Sequence, residues 1–484
     1  MDGLAQAAGH ADRETPLKDY CTGLLLPGER KSVEPMAARL APHNVRQKHQ
    51  SLHHLVADAP WDDAVLLRRV REEVLPAMQK NGPVRAWIVD DTGFPKQGKH
   101  SVGVARQYCG QLGKQDNCQV AVSFSIATDG SSLPIAWRLY LPETWASDGE
   151  RREKVGVPEE IEFQTKPEIA LEQIRQAVAE GVPKAPVLAD AAYGNDSGFR
   201  EGITQLGQRY AVGVQSSMTV WKPGQGPLPK KRWTGQGRPP ALLQRDREHQ
   251  PVTLKELALE LPATTWEKVY WREGVNNKKL NSRFAAVRVR PAHRDYWRCE
   301  LHPEEWLLIE WPAQEKEPTK YWLSTLPVET KLKALVRLAK HRWIIERDYE
   351  ELKQELGLGH YEGRGWRGFH HHATLCIAAY GFLVGRTEPF FPLGTPRPSW
   401  IISPGAAPRL PSARVVAPSG IIPARSPRFA SCWHATCWLS FLIAPFVGHA
   451  PVNLLRPHRL QQRRFEGGNG LALSAKRLPA TSRR

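Results

Sequence analysis

The chain has 484 residues, 41% of them hydrophobic, so it is long enough for two or three domains with cores and too apolar to be disordered throughout. Its formal net charge of +17 favours a polyanionic partner, because Lys and Arg displace counterions from phosphates. Seven cysteines without a CxxC pair indicate a reduced intracellular compartment. We expect no secretion signal, because the first residues do not show a basic segment followed by an apolar run, and no membrane span, because no apolar run reaches roughly 20 residues.

Residues 1–80 are predicted to be helical. Ser32 is the expected N-cap of one helix and Asp62 that of another. A further predicted helix carries a cluster of basic residues, namely Arg46, Lys48, His49, His53 and His54. Such a cluster is typical of a surface that binds DNA. It is equally typical of the solvent-exposed face of an ordinary helical bundle.

Residues 81–215 are predicted to form the first part of an α/β core. The expected strands are 87–89, which ends at Asp90 and Asp91, then 102–108, 120–127, 133–141, 186–189, which leads into Asp190, and Tyr210–Val214. Helices are predicted before and after the strand at 186–189, the first capped by Thr165. Three neighbouring strands followed by helix, strand, helix and strand is the order of a ribonuclease-H-like core.

The rest of the chain divides into three predicted parts. Residues 216–318 begin with Pro/Gly-rich basic sequence and continue with strand-like runs at 283–289 and 306–311, which indicates a β-rich insertion. Residues 319–385 are expected to return to the core with a strand at 321–325, a long helical stretch at 329–356 and a helix at 369–384. The predicted fold class is therefore α/β: a ribonuclease-H-like core interrupted by a β-rich insertion and preceded by helices.

Residues 386–484 form a basic tail rich in Pro, Arg and Ala that has no sustained hydrophobic period. Roughly +12 of the formal charge lies in this tail and about +5 in the rest of the chain, so net charge is weak evidence for nucleic acid. One interpretation is a disordered basic arm. Another, which we favour because the change is abrupt and follows a well-formed helix, is a reading frame that shifted near Val384.

Two aspartates that follow apolar strands are the first candidates for chemistry. Asp90 comes after Trp-Ile-Val and Asp190 after Val-Leu-Ala. At one end of a sheet they would offer the oxygen ligands that Mg²⁺ prefers and leave positions for a phosphate and a water. Each aspartate alone could equally cap a turn. A third carboxylate strengthens the metal hypothesis.

The third carboxylate lies on a predicted helix with a charged face. Residues at spacings i, i+4, i+7, i+8 and i+11 share that face: Arg342, Glu346, Tyr349, Glu350 and Lys353. Such a stripe is ordinarily a solvated surface. If it faces the sheet end that carries Asp90 and Asp190, it becomes the far wall of a metal site.

The three acidic motifs together resemble the DDE transposases of bacterial insertion sequences, in the subgroup with a tyrosine, arginine, glutamate, lysine signature. Arg342, Glu346 and Lys353 match the last three signature residues with the same gaps, whereas Ala339 stands at the tyrosine position. Asp90 and Asp190 match the catalytic aspartates. Asp91 is adjacent to Asp90, and we choose Asp90 because Thr92 fits the pattern Asp, any residue, Ser or Thr. The β-rich insertion is also typical of this subgroup.

The resemblance implies a metal-dependent enzyme that cuts DNA at the ends of an insertion sequence and joins the 3′ ends to target DNA. Asp90, Asp190 and Glu346 would bind Mg²⁺ or Mn²⁺, with two ions expected, and Arg342 and Lys353 would contact DNA phosphates. Double-stranded DNA, at transposon ends and target, is the implied partner, bound by a homodimer in the synaptic complex. A cytoplasmic, nucleoid-associated bacterial protein is expected. The alternatives are an inactive DNA-binding remnant of a transposase and a host nuclease of the same fold.

Two other clusters carry weaker predictions. The consecutive residues His370, His371 and His372 diverge around a helix, so we expect a basic surface rather than a zinc site. Tryptophans of the insertion could stack on an unpaired base, although core packing is expected for most of them: Trp233, Trp266, Trp271 and Trp297.

Overall fold

A computed structural model describes residues 2–273 and 279–386. The tail predicted at 386–484 therefore lies outside the described residues, apart from its first residue. In the described part of the chain, no helix is both long and apolar enough to cross a membrane.

The N-terminal region is helical, as predicted, with α1 (Asp2–Ala7), α2 (Glu14–Leu25), α3 (Val33–Leu40), α4 (Val45–His53) and α5 (Asp63–Lys80). Asp62 caps α5 as expected, since its Oδ1 accepts from the backbone N–H groups of Ala64 and Val65 at 2.8 and 3.1 Å. Ser32 occupies the N-cap position of α3 without a side-chain capping bond. The basic residues predicted to share a helix belong to α4 and the π-helical turn after it.

The centre of the molecule is a mixed sheet. Its first strands are β1 (Ala86–Pro95), β2 (Ala105–Cys109), β3 (Lys114–Ala127), β4 (Ser132–Leu139), β5 (Val187–Ala189) and β6 (Tyr210–Val214). The path β4, β3, β1, β5, β6 is antiparallel up to β1 and parallel from β1 to β6. This order is consistent with the predicted ribonuclease-H-like fold. The helices between these strands are α6 (Glu143–Ala146), α7 (Gly149–Lys154), α8 (Lys166–Ala179), α9 (Ala191–Gly194) and α10 (Ser197–Gln205).

The strand that carries Asp90 is longer than predicted. We expected it to end at Asp90 and Asp91, yet β1 continues to Pro95 because β3 pairs with it from Ala86 to Pro95. The parallel partner β5 pairs only with Trp87 and Ile88. Asp90 therefore lies at the edge of the parallel part of the sheet, although it is in the middle of its own strand.

The predicted β-rich region extends the same sheet. It contains β7 (Thr219–Trp221), β8 (Val252–Thr253), α11 (Leu254–Glu260), β9 (Glu267–Glu273), β10 (Lys279–Pro291) and β11 (Glu305–Trp311). The following strand, β12 (Lys320–Ser324), pairs antiparallel with both β6 and β11. The region is thus joined to the central strands through β12.

The last helices cover the sheet. The predicted long helical stretch divides at Arg342 into α12 (Leu332–His341) and α13 (Trp343–Glu350), and α14 (Trp366–Arg386) follows. Ile344 and Ile345 of α13 are fully buried in a cluster that includes Ile88 and Leu188 of the parallel strands. This packing brings the first turn of α13 to the part of β1 that carries Asp90.

The prediction of a basic surface at the three consecutive histidines is wrong. His370, His371 and His372 are each at most 5% exposed, because α14 is covered by α2, α5 and β4. Their imidazoles bond to different elements, and burial lowers the pKa of all three, for His371 and His372 to about 4. Burial therefore favours the uncharged form of these imidazoles, which form hydrogen bonds inside the fold.

Candidate active site

Asp90 and Asp91 point to opposite faces of β1, as successive strand residues do. Asp90 is 14% exposed, and its Oδ2 accepts a 2.7 Å hydrogen bond from the Arg342 guanidinium. Asp91 instead accepts a 2.5 Å bond from the Lys166 ammonium of α8. The Asp90 carboxylate therefore faces α13, and the Asp91 carboxylate already has a cationic partner on the other side.

Asp190 is placed by a tight turn between β5 and α9. It is the N-cap of α9, and its Oδ1 accepts from the Ala192 backbone N–H at 2.9 Å. The turn lies directly against β6, where a Cβ on Gly194 would overlap the carbonyl oxygen of Gly213. Glycine at position 194 thus permits the close approach that holds Asp190 beside the parallel strands.

The electrostatics show that the two aspartates share one environment. Burial raises the pKa of Asp90 to about 7; Arg342 opposes that effect, and Asp190 and Asp91 add to it. Burial lowers the pKa of Arg342, but Asp90, Asp190 and Glu346 together raise it above its ordinary value. One guanidinium therefore faces three carboxylates, which leaves an excess of negative charge.

Most of the charged stripe of α13 faces the sheet. Arg342 lies 3.5 Å from the Glu346 carboxylate, the Tyr349 hydroxyl lies 2.6 Å from the Ser123 hydroxyl of β3, and Lys353 donates to the Gly93 carbonyl of β1 at 2.7 Å. Glu346 itself remains 70% exposed. The alternative of a wholly solvated stripe is wrong, although Glu350 does point to solvent.

The donor set suits a hard divalent cation. Asp90, Asp190 and Glu346 offer only carboxylate oxygens, the ligand type that Mg²⁺ and Mn²⁺ prefer. Within residues 2–273 and 279–386, no three His, Cys, Asp or Glu side chains are grouped closely enough to hold a metal ion together. Arg342 contacts both Asp90 and Glu346, so its guanidinium supplies the positive charge between them.

Two cationic residues near this cluster were not predicted from the sequence. Lys166 follows the cap of α8 and pairs with Asp91. Arg272 comes from β9, and its guanidinium carbon lies 3.7 Å from the centroid of the Trp343 ring. No local pattern in the sequence could have identified Arg272, because its position depends on how the β-rich region packs against α13.

The tryptophans of the β-rich region fall into two groups. Trp266 packs edge-on against Trp311, and Trp271 packs against Phe284, as expected for core residues. Trp233 and Trp297 are 52% and 64% exposed. Only the second group is available to stack on a base.

Comparisons with known proteins found a family model and a relative that each match part of this chain. Residues 3–278 match the sequence model of a family described as "DDE superfamily endonuclease", and this stretch includes Asp90 and Asp190 but ends before Glu346. A protein from Microchaete diplosiphon described as "Probable transposase for insertion sequence element IS701" is 33% identical over 172 residues. That alignment covers 35% of this chain and 42% of the relative, so it spans less than half of the relative's length.

Proposed function

The chain belongs to the DDE superfamily endonucleases, and from this premise we propose that it is a transposase of an insertion sequence. It would cut DNA at the ends of the element and join the freed 3′ ends to target DNA. The proposal rests mainly on the position of the Arg342 guanidinium, which contacts Asp90 of β1 and Glu346 of α13. Asp190 is close enough to raise the pKa of the same guanidinium. Three carboxylates from distant parts of the sequence thus surround one positive charge.

Asp90, Asp190 and Glu346 would hold the divalent metal, which we expect to be Mg²⁺ or Mn²⁺, in two ions. When bound, the metal would activate the attacking oxygen and stabilise the leaving oxygen of the phosphodiester bond. Arg342 would compete with the metal for the Asp90 carboxylate, to which it donates a hydrogen bond. Asp91 is the weaker candidate for a ligand, because its carboxylate pairs with Lys166 on the opposite face of β1.

The cationic residues that flank α13, Arg342 before it and Lys353 after it, would bind the DNA backbone. Arg342 can form two parallel hydrogen bonds to a phosphate, and Lys353 acts as a point charge. Tyr349 is held by Ser123 and keeps the helix in register with β3. The exposure of Glu346 leaves room for a DNA strand beside these groups.

The further parts of the proposal concern the whole protein. Residues 1–80 would bind the DNA ends, residues 81–215 and 319–385 would form the catalytic core, and residues 216–318 would be an insertion into it. Two copies would bring two DNA ends together, on the nucleoid in the bacterial cytoplasm.

Cleavage of a duplex that carries the element's own end tests the proposal. With Mg²⁺ or Mn²⁺ the unaltered chain should cut this DNA, and Asp190→Asn and Glu346→Gln should each reduce cutting about a thousand-fold, since a metal ligand contributes several kcal/mol. Glu350→Gln is the matched control, because Glu350 is an exposed carboxylate on the same helix. It should cut normally.

The same assay separates the alternatives. A duplex with a pre-cut 3′ end should be joined to a second DNA molecule, which a host nuclease would not do. An unaltered chain that binds the end but never cuts it would be a DNA-binding remnant. Normal cutting by Glu346→Gln would contradict the assigned site.

A further inference from the structure

Arg272 reaches α13 from the β-rich region. It lies near the end of β9, which forms an antiparallel pair with β10. Its guanidinium stacks on Trp343, with 3.7 Å between the guanidinium carbon and the ring centroid. Trp343 is the first residue of α13 and precedes Glu346 by less than one helical turn. A residue of the β-rich region is therefore fixed beside a proposed metal ligand.

A second arginine lies near the same indole. The guanidinium carbon of Arg347 is 5.3 Å from the Trp343 ring centroid. Arg347 makes one long contact, 3.4 Å to the Gly130 carbonyl, and its Nε is buried without a hydrogen-bond partner. Two guanidinium groups thus lie around one ring.

Acidic groups of the protein balance the positive charges of Arg272 and Arg347 only in part. In the described part of the chain, neither arginine forms an ion pair within 4.0 Å, whereas Arg342 forms two. The pKa of Arg272 is lowered by burial, raised by Glu346 and lowered by Arg347, so all three groups lie close together. Arg342 also contacts Glu346, so this one carboxylate cannot balance the positive charges of Arg272 and Arg347 as well. An external anion can supply the remaining counter-charge.

We infer that Arg272 and Arg347, held around Trp343, form a phosphate-binding site for the DNA strand next to the bond that is cut. This inference rests on the proposed function. Guanidinium groups bind phosphate oxygens through paired N–H donors, and stacking on an aromatic ring fixes their plane in advance. The site also gives the β-rich region a direct role in holding substrate at the catalytic helix.

The salt dependence of DNA binding tests this site. Binding of the element-end duplex is measured in EDTA, where no cutting can occur, over a range of salt concentrations. Each phosphate contact contributes about 0.9 to the slope of log K against log salt. Arg272→Ala and Arg347→Ala should each reduce the slope by about one, and Arg272→Lys should bind more weakly than the unaltered chain because it loses the stacked plane.

Arg283→Ala is the matched control, because Arg283 is also exposed, lies on the partner strand β10 and sits 5.1 Å from the ring of Trp311. It should keep the original slope. An unchanged slope in Arg272→Ala, or an equal loss in Arg283→Ala, would overturn the inference while cutting by the unaltered chain still supported the transposase. Failure of the unaltered chain to bind or cut any duplex would overturn both.

Discussion

Helices α13 and α14 both carry clusters of titratable side chains, and the fold uses the two clusters in opposite ways. At the start of α13, Arg342 lies at a partly open sheet edge, where it contacts the carboxylates of Asp90 and Glu346. On α14, three consecutive histidines are buried and their pKa values are lowered by burial. A polar cluster therefore marks a charged site only where opposite charge or solvent compensates it, and otherwise it becomes an uncharged part of the core.

The hydrogen bonds of His370 and His372 explain why these two residues of α14 can be neutral. His370 accepts from the Leu139 N–H through Nε2 and donates from Nδ1 to the Trp366 carbonyl. His372 bonds through Nε2 to the Gly357 carbonyl and through Nδ1 to the Tyr20 hydroxyl. A neutral imidazole has one donor and one acceptor, which both sets of partners satisfy.

The largest expected effect is the acid sensitivity of His372. Its pKa is about 4 in the folded chain because of burial, against about 6.5 when unfolded. Between these values the unfolded chain binds a proton that the folded chain does not, so stability is full above pH 6.5 and falls as pH drops towards 4. The loss is about 3 kcal/mol. Urea unfolding at several pH values measures it.

The matched variants for this experiment are His372→Asn and His53→Gln. His372→Asn removes the buried titration and should flatten the pH dependence of the free energy of unfolding by about 3 kcal/mol. His53 is exposed on α4, so His53→Gln should leave the pH dependence unchanged. If His372→Asn is too unstable to study, NMR titration of the His372 ring measures its pKa directly. A value near 6.5 would contradict the comparison between the helices.

Arg342 should give the next largest effect, in two opposite directions. Arg342→Gln removes the cation between Asp90 and Glu346, so it should bind Mg²⁺ or Mn²⁺ about tenfold more tightly, because charge repulsion is relieved. It should also cut DNA about a hundred-fold more slowly, since a phosphate donor is lost. Calorimetric metal titration and the cleavage assay measure the two quantities.

Arg337→Gln on α12 is the control for Arg342, because Arg337 is exposed and carries the same charge. It should change neither metal binding nor cutting. If Arg342→Gln weakens metal binding, Arg342 supports the carboxylates rather than competing with the metal for them.

The sequence predicted the elements whose signals are local. Tyr210–Val214 is a strand with the expected bounds, and α8 begins at the predicted cap Thr165, which forms a capping box with Glu168. Apolar period and capping chemistry act within a few residues, so they can be recognised without the fold. The carboxylates of the candidate site were found because each directly follows an apolar run or lies on a patterned helix face.

The features that the sequence did not predict depend on packing between distant elements. The length of β1 follows from its partner β3, and the burial of the histidines follows from the helices and strand that cover α14. The contact of Arg272 with Trp343 requires β9 to lie over α13. A single sequence carries no local signal for such contacts.

The smallest expected effect is that of Asp91→Asn, which distinguishes the two neighbouring aspartates of β1. Asp91 pairs with Lys166, and both side chains are partly exposed, at 28% and 29%, so Asp91→Asn should cost no more than about 1 kcal/mol of stability. Cutting should change only a few-fold, because the Asp91 carboxylate faces away from α13. Asp90→Asn should reduce cutting at least a hundred-fold. Lys166→Met, which removes the partner of Asp91, should behave like Asp91→Asn. If Asp91→Asn is instead the inactive variant, the first metal ligand would be Asp91, on the face of β1 that is covered by α8. Lys166, rather than Arg342, would then compete with the metal for that carboxylate.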